Sequence, residues 1–184
     1  TNSVSSCLVN SDGTLLSSSC SALGAGNFSG PVGISIKQNF AYITNQISNT
    51  VSLCTINSDG TLAFPCTLMS GGFINPVHTF LSDNYAFITN FGATTTNQIS
   101  ICSLNSNATL GSCNALTDSL FNSFGSRGIS IENGYVYITS WNNTSIVQCP
   151  VNTLNGTLSA CSSFTPLGVG IGATPITNIS IQNF

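Results

Sequence analysis

Short apolar runs recur along the chain, each bounded by Ser, Thr, Asn and Gly, and none keeps the three-to-four-residue spacing of an amphipathic helix. The runs follow a fixed order. Gly33-Ile34-Ser35-Ile36 leads through the polar turn Lys37-Gln38-Asn39 to Ala41-Tyr42-Ile43-Thr44-Asn45, and a hairpin carrying two cysteines follows. The next copy reads Thr79-Phe80-Leu81, Ser82-Asp83-Asn84 and Ala86-Phe87-Ile88-Thr89-Asn90. The one after it reads Gly128-Ile129-Ser130-Ile131, Glu132-Asn133-Gly134 and Val136-Tyr137-Ile138-Thr139-Ser140. Each unit therefore predicts four short strands. The second strand is apolar at successive positions instead of alternating, which predicts burial on both faces. Tyr42, Phe87 and Tyr137 on it are expected to pack between units.

The cysteines mark the third and fourth strands. They pair by sequence as Cys7 and Cys20, Cys54 and Cys66, Cys102 and Cys113, Cys149 and Cys161, with first members 47, 48 and 47 residues apart. Each pair brackets a turn: Asn10 to Leu15, Asn57 to Leu62, Asn105 to Leu110, and Asn155-Gly156-Thr157-Leu158. Asp-Gly and Asn-Gly between apolar runs signal a hairpin, and a type I′ turn is expected because both of its central residues need positive φ. Ala108 stands where the other copies have Gly, which predicts a different turn or a strained one. Hairpin geometry sets the two sulfurs of each pair opposite one another and predicts four disulfides within units.

A period near 48 residues with four strands per unit is the signature of a β-propeller blade. The fold expected is all-β, with complete blades at residues 32–68, 77–115 and 127–163 joined by Gly-rich crossovers. Residues 1–22 hold only a third and fourth strand. Residues 176–184 hold only a first strand, Ile179-Ser180-Ile181. Four full units exceed the chain by about eight positions, equivalent to residues 40–47 and containing a second strand. A sheet with such a gap leaves unpaired edges. The expected remedy is a larger ring of tandem repeats or a strand from another copy, which would propagate head to tail.

The string Ala-Tyr-Ile-Thr-Asn followed by Asn-Thr-Val-Ser resembles the YVTN repeat of lactonase-like and surface-layer β-propellers, over nearly the whole chain. The resemblance implies a propeller. Its implied functions range from sugar-lactone hydrolysis to cell-surface structure, and a shared fold does not choose between them.

Composition narrows the setting. Only seven of the 184 residues are charged, against roughly a quarter in ordinary soluble domains. The net charge of −3 gives no electrostatic reason to bind nucleic acid, and no apolar run is long enough to insert into a membrane. Cysteine in every unit argues for an oxidising compartment, outside the cell or on its surface. Six Asn-x-Ser/Thr sequons stand at Asn27, Asn107, Asn142, Asn143, Asn155 and Asn178. They read either as glycosylation acceptors, with Asn107 and Asn155 at hairpin tips, or simply as turn asparagines.

Candidate chemistry is sparse. His78, the single histidine, occupies the position of Gly33 and Gly128 and is read as a polar plug near the axis, not as a catalytic base. Asp12 and Asp59 belong to turns, Asp83 and Glu132 are expected in solvent, and Lys37 and Arg127 are isolated cations. No nucleophile elbow, phosphate loop or metal-ligand spacing occurs, so no catalytic residue, metal or cofactor is expected. The loops after the second strands share one rim. Their Asn45, Asn90 and Trp141 are the candidate ligand contacts, amides and an aromatic suited to neutral sugars. The expectation is a secreted or surface structural and adhesive propeller, a coat or filament subunit whose partners are copies of itself or neighbouring repeats. A glycan-binding propeller is the alternative, and a lactonase-like hydrolase the least favoured reading.

Overall fold

The computed structural model describes residues 2–24, 27–93, 97–116, 118–121, 125–142, 144–152, 154–166 and 179. Strands β1 (Val4–Val9) and β2 (Leu15–Leu23) form a two-stranded sheet. Three four-stranded antiparallel meanders follow. The first comprises β3 (Pro31–Lys37), β4 (Phe40–Asn45), β5 (Thr50–Ile56) and β6 (Leu62–Met69). The second comprises β7 (Pro76–Leu81), β8 (Tyr85–Asn90), β9 (Ile99–Leu104) and β10 (Leu110–Leu116). The third comprises β11 (Ser126–Glu132), β12 (Tyr135–Ser140), β13 (Ile146–Pro150) and β14 (Ser162–Phe164). The fold is a β-propeller. Among the described residues the one helical turn is Ser119–Phe121 in a crossover, and no helix is long and apolar enough to cross a membrane.

The core lies between sheets. Tyr42, Val51 and Leu53 of the first blade pack with Ala86, Ile88 and Cys102 of the second. Phe87, Ile99 and Ile101 of the second pack with Ile129, Val136 and Ile138 of the third. This is why the second strands are apolar at consecutive positions: both faces of β4 and β8 meet a neighbour. Tyr42 and Phe87 are fully buried, and burial raises the Tyr42 phenol above its ordinary value. Tyr137 is half-buried, tilted against Tyr135. The crossovers that lead into the three complete blades each sink one phenylalanine, Phe28, Phe73 and Phe121.

Disulfides join Cys7–Cys20, Cys54–Cys66, Cys102–Cys113 and Cys149–Cys161, one per hairpin. Cross-linking loops of this size stabilises by about 3 kcal/mol each in the chain-entropy account. The hairpin turn differs from the expected type I′. Only its last residue takes positive φ: Gly13, Gly60 and Ala108, at 85°, 82° and 66°. The Gly13 amide donates to the Asn10 carbonyl and the Asn10 amide to the Thr14 carbonyl. Asn57 with Gly60 and Asn105 with Ala108 repeat this. That is a type I turn closed by a left-handed bulge residue, the three-residue hairpin loop. Ala108 keeps the same turn with its methyl in the left-handed region. The fourth turn, from Asn152 to Thr157, is one residue longer.

The first strand of each blade carries a register shift: Pro31 to Gly33, Pro76 to His78 and Ser126 to Ile129. A bulge leaves a residue out of the ladder and turns its peptide aside. The Val77 and Arg127 carbonyls released in this way accept hydroxyl hydrogen bonds from the preceding blade.

Candidate functional site

The Thr-Asn that ends β4 and β8 wires the blades together. Thr44 Oγ1 donates to the Val77 carbonyl at 2.7 Å, and Thr89 Oγ1 to the Arg127 carbonyl at 2.6 Å. Asn45, fully buried, donates from Nδ2 to Ser52 Oγ at 2.8 Å, and its Oδ1 accepts the Ser29 amide of the crossover. Asn90 does the same with Ser100 Oγ at 2.9 Å and the Ile74 amide. These two amides were expected on the ligand rim. Their burial and full set of partners correct that reading: they pin the crossover to the blade it enters.

What the rim presents instead is the next residue. Gln46, Phe91 and Trp141 occupy equivalent places, each donating its backbone amide to a crossover carbonyl, at Gly30, Asn75 and Gly125. Trp141 is exposed and meets Phe91 edge to face, with ring centroids 6.4 Å apart. The Arg127 guanidinium lies over both rings, 4.3 Å from Trp141 and 4.9 Å from Phe91. Arg127 is thus not an isolated cation but part of a two-blade aromatic cluster. Its Nε and the neighbouring Ser126 Oγ are buried without a hydrogen-bond partner. The recurrence of an aromatic after the second strand, at Phe91 and Trp141, was the sequence signal for this cluster.

The opposite rim, at the turns between first and second strands, also departs from expectation. Lys37 Nζ donates to the Ser82 carbonyl of the next blade and pairs with Asp83 at 3.4 Å. Asp83 is fully in solvent, so the pair contributes little to stability. Glu132 is partly buried and engaged, not solvated. A polar cleft of about 380 Å³ opens beside Lys37, walled by Phe40, Tyr42, Asn84 and Asn105.

His78 donates its backbone amide to Thr89 Oγ1, and burial pushes its imidazole below the ordinary range. Its counterpart Gly33 has no room for a side chain, since a Cβ there would stand 2.1 Å from the Val77 carbonyl oxygen. The seam between the second and third blades is therefore built differently from the one before it. Asp12 and Asp59 each accept from a threonine two residues on, through its amide and hydroxyl, which holds both carboxyls below the ordinary range. Asn107 and Asn155 take the same place, with Oδ1 accepting from Thr109 and Thr157 at 2.7 Å. They, Asn27 and Asn142 are exposed. Asn143 and Asn178 lie outside the described residues. No group of three or more His, Cys, Asp or Glu side chains converges on one point among the described residues.

No family model matches the chain, and no curated protein does. Solved structures do. A functionally unknown protein from Desulfotomaculum acetoxidans is 22% identical with a TM-score of 0.64, the match covering 91% of this chain and 50% of that one. A candidate 6-phosphogluconolactonase from Bacteroides uniformis is 16% identical with a TM-score of 0.64, covering 86% and 50%. A Lactobacillus plantarum protein is 15% identical with a TM-score of 0.65, covering 90% and 50%. The chain thus spans about half the length of these structures. At such identities the likeness is one of fold.

Proposed function

We propose that this chain is a non-catalytic structural propeller segment of an extracellular or cell-surface assembly, joined to its neighbours blade to blade. The observation that carries the reading is at the first complete blade, where Val32, Ile34 and Ile36 of β3 stand exposed beside the two-stranded sheet. An apolar strand face of this kind is a surface built to be covered. The polar residues of the repeat support the reading, because their hydrogen bonds hold blades together. Four disulfides suit an oxidising setting, and Asn107 and Asn155 are open to glycosylation at hairpin tips. Sedimentation equilibrium over a concentration series tests it. Mass should rise with concentration for the native chain and stay monomeric for Ile34→Asp with Ile36→Asp. A monomer at every concentration in both would contradict it.

A second reading, glycan binding, is favoured by the Phe91–Arg127–Trp141 cluster. Exposed indole stacks on sugar faces, and Trp141 stands open at this rim. Glycan-array binding by the native chain that disappears in Trp141→Ala would establish it. An empty array would remove it.

A further inference from the structure

We infer that Arg127 and Trp141 together form a receptor for a sugar acid, a pyranose that carries a carboxylate in the manner of a uronic acid. The inference rests on the glycan-binding reading above and names the class of sugar.

Arg127 breaks the repeat. Spacing sets it opposite Val32 and Val77 of the two preceding blades. The seam needs only its backbone: the Arg127 carbonyl accepts the Thr89 hydroxyl as the Val77 carbonyl accepts that of Thr44. Trp141 stands in the same relation to its place. Its amide donates to the Gly125 carbonyl, a bond that Gln46 makes equally to Gly30. The side chains of Arg127 and Trp141 therefore exceed what the fold requires of these positions.

The guanidinium is also an uncompensated charge. The chain has two basic residues, and the other, Lys37, pairs with Asp83 and donates to the Ser82 carbonyl. Among the described residues Arg127 has no ion pair, and its guanidinium has no hydrogen-bond acceptor. Of the guanidinium nitrogens Nε alone is buried without a partner; Nη1 and Nη2 reach solvent. The rings of Trp141 and Phe91, 4.3 and 4.9 Å away, attract the cation and fix its plane, but they offer its N–H groups no acceptor. What is left is a fixed fork with both terminal nitrogens free. Two parallel N–H donors in that arrangement match the two oxygens of a carboxylate, approached end-on.

The neighbour of the fork decides what carries the carboxylate. Trp141 is 41% exposed although the guanidinium lies over its ring. An exposed indole takes the C–H face of a pyranose. A uronic acid bears its carboxylate on a ring carbon bordering that face, so one ligand meets fork and indole together. A neutral sugar leaves the fork unanswered, and a small free anion leaves the indole bare.

The probes are methyl β-D-glucuronide and methyl β-D-glucoside, which differ only in the carboxylate. Binding is followed by the fluorescence of Trp141, the only tryptophan, and by saturation-transfer NMR on the sugar. The glucuronide should bind saturably and about tenfold more tightly than the glucoside, the worth of one charge-assisted pair. Arg127→Val restores the residue of the other blades and should remove that preference, leaving the two sugars equal; circular dichroism checks its fold, and the paired sugars test the claim on the native chain alone. A hyaluronan tetrasaccharide separates the sources: tighter binding than the monosaccharide assigns the site to a polysaccharide, equal binding to the free acid. Equal affinity of glucuronide and glucoside for the native chain overturns the inference and leaves the glycan-binding reading standing. Acetate binding as tightly as the glucuronide, or a preference that survives Arg127→Val, also overturns it. No response to either sugar removes the inference and the glycan-binding reading together.

Discussion

The hydroxyl of Thr44 donates to the carbonyl of Val77 at 2.7 Å across the seam between the first two complete blades. The bulge in β7 turns that carbonyl out of its own ladder, so the threonine is its answering donor. Thr44→Val preserves shape and removes the donor, leaving a buried carbonyl unpaired. The cost should be about 1–3 kcal/mol in urea denaturation, and Thr44→Ser should recover most of it. Thr89→Val should behave alike through the Arg127 carbonyl.

Gly60 and Ala108 fill the same left-handed position of equivalent turns. A Cβ at Gly60 would meet nothing within 4 Å, so Gly60→Ala isolates the backbone term. It should destabilise by about 1 kcal/mol, the ordinary cost of a non-glycine residue in that region. No change in stability would show that the turn relaxes instead.

His78 gives stability a pH dependence. Burial holds its folded-state pKa below the ordinary 6.5, so the unfolded chain binds the proton first as pH falls. The contribution is fully present above about pH 6.5 and is lost as pH drops through the window down to the folded value. Asp12 and Asp59 are also depressed, but their window opens only below 3.8. The melting temperature should therefore fall between pH 7 and pH 5 for the native chain, and much less for His78→Gln. A rise on acidification would contradict the buried neutral imidazole.

The blades and the cysteine pairing were legible because both are periodic, and a repeated pattern averages out local ambiguity. The roles of Asn45 and Asn90 were not. An amide at the end of a strand looks the same whether it faces solvent or closes a crossover, and only the neighbouring Ser29 and Ile74 amides decide. Arg127 looked isolated because Phe91 lies in another blade. The turn was misread because Asp-Gly serves both the type I′ turn and the type I turn with a left-handed bulge; which one forms depends on strand register.

Amide hydrogen exchange along β1 tests the central claim, that this end of the propeller is where the chain joins its neighbours. The β1 amides that do not bond to β2 should exchange fast in dilute solution and become protected as concentration rises, while protection of β8 stays constant. Fast exchange in β1 at every concentration, with Ile34 and Ile36 still open, would contradict it.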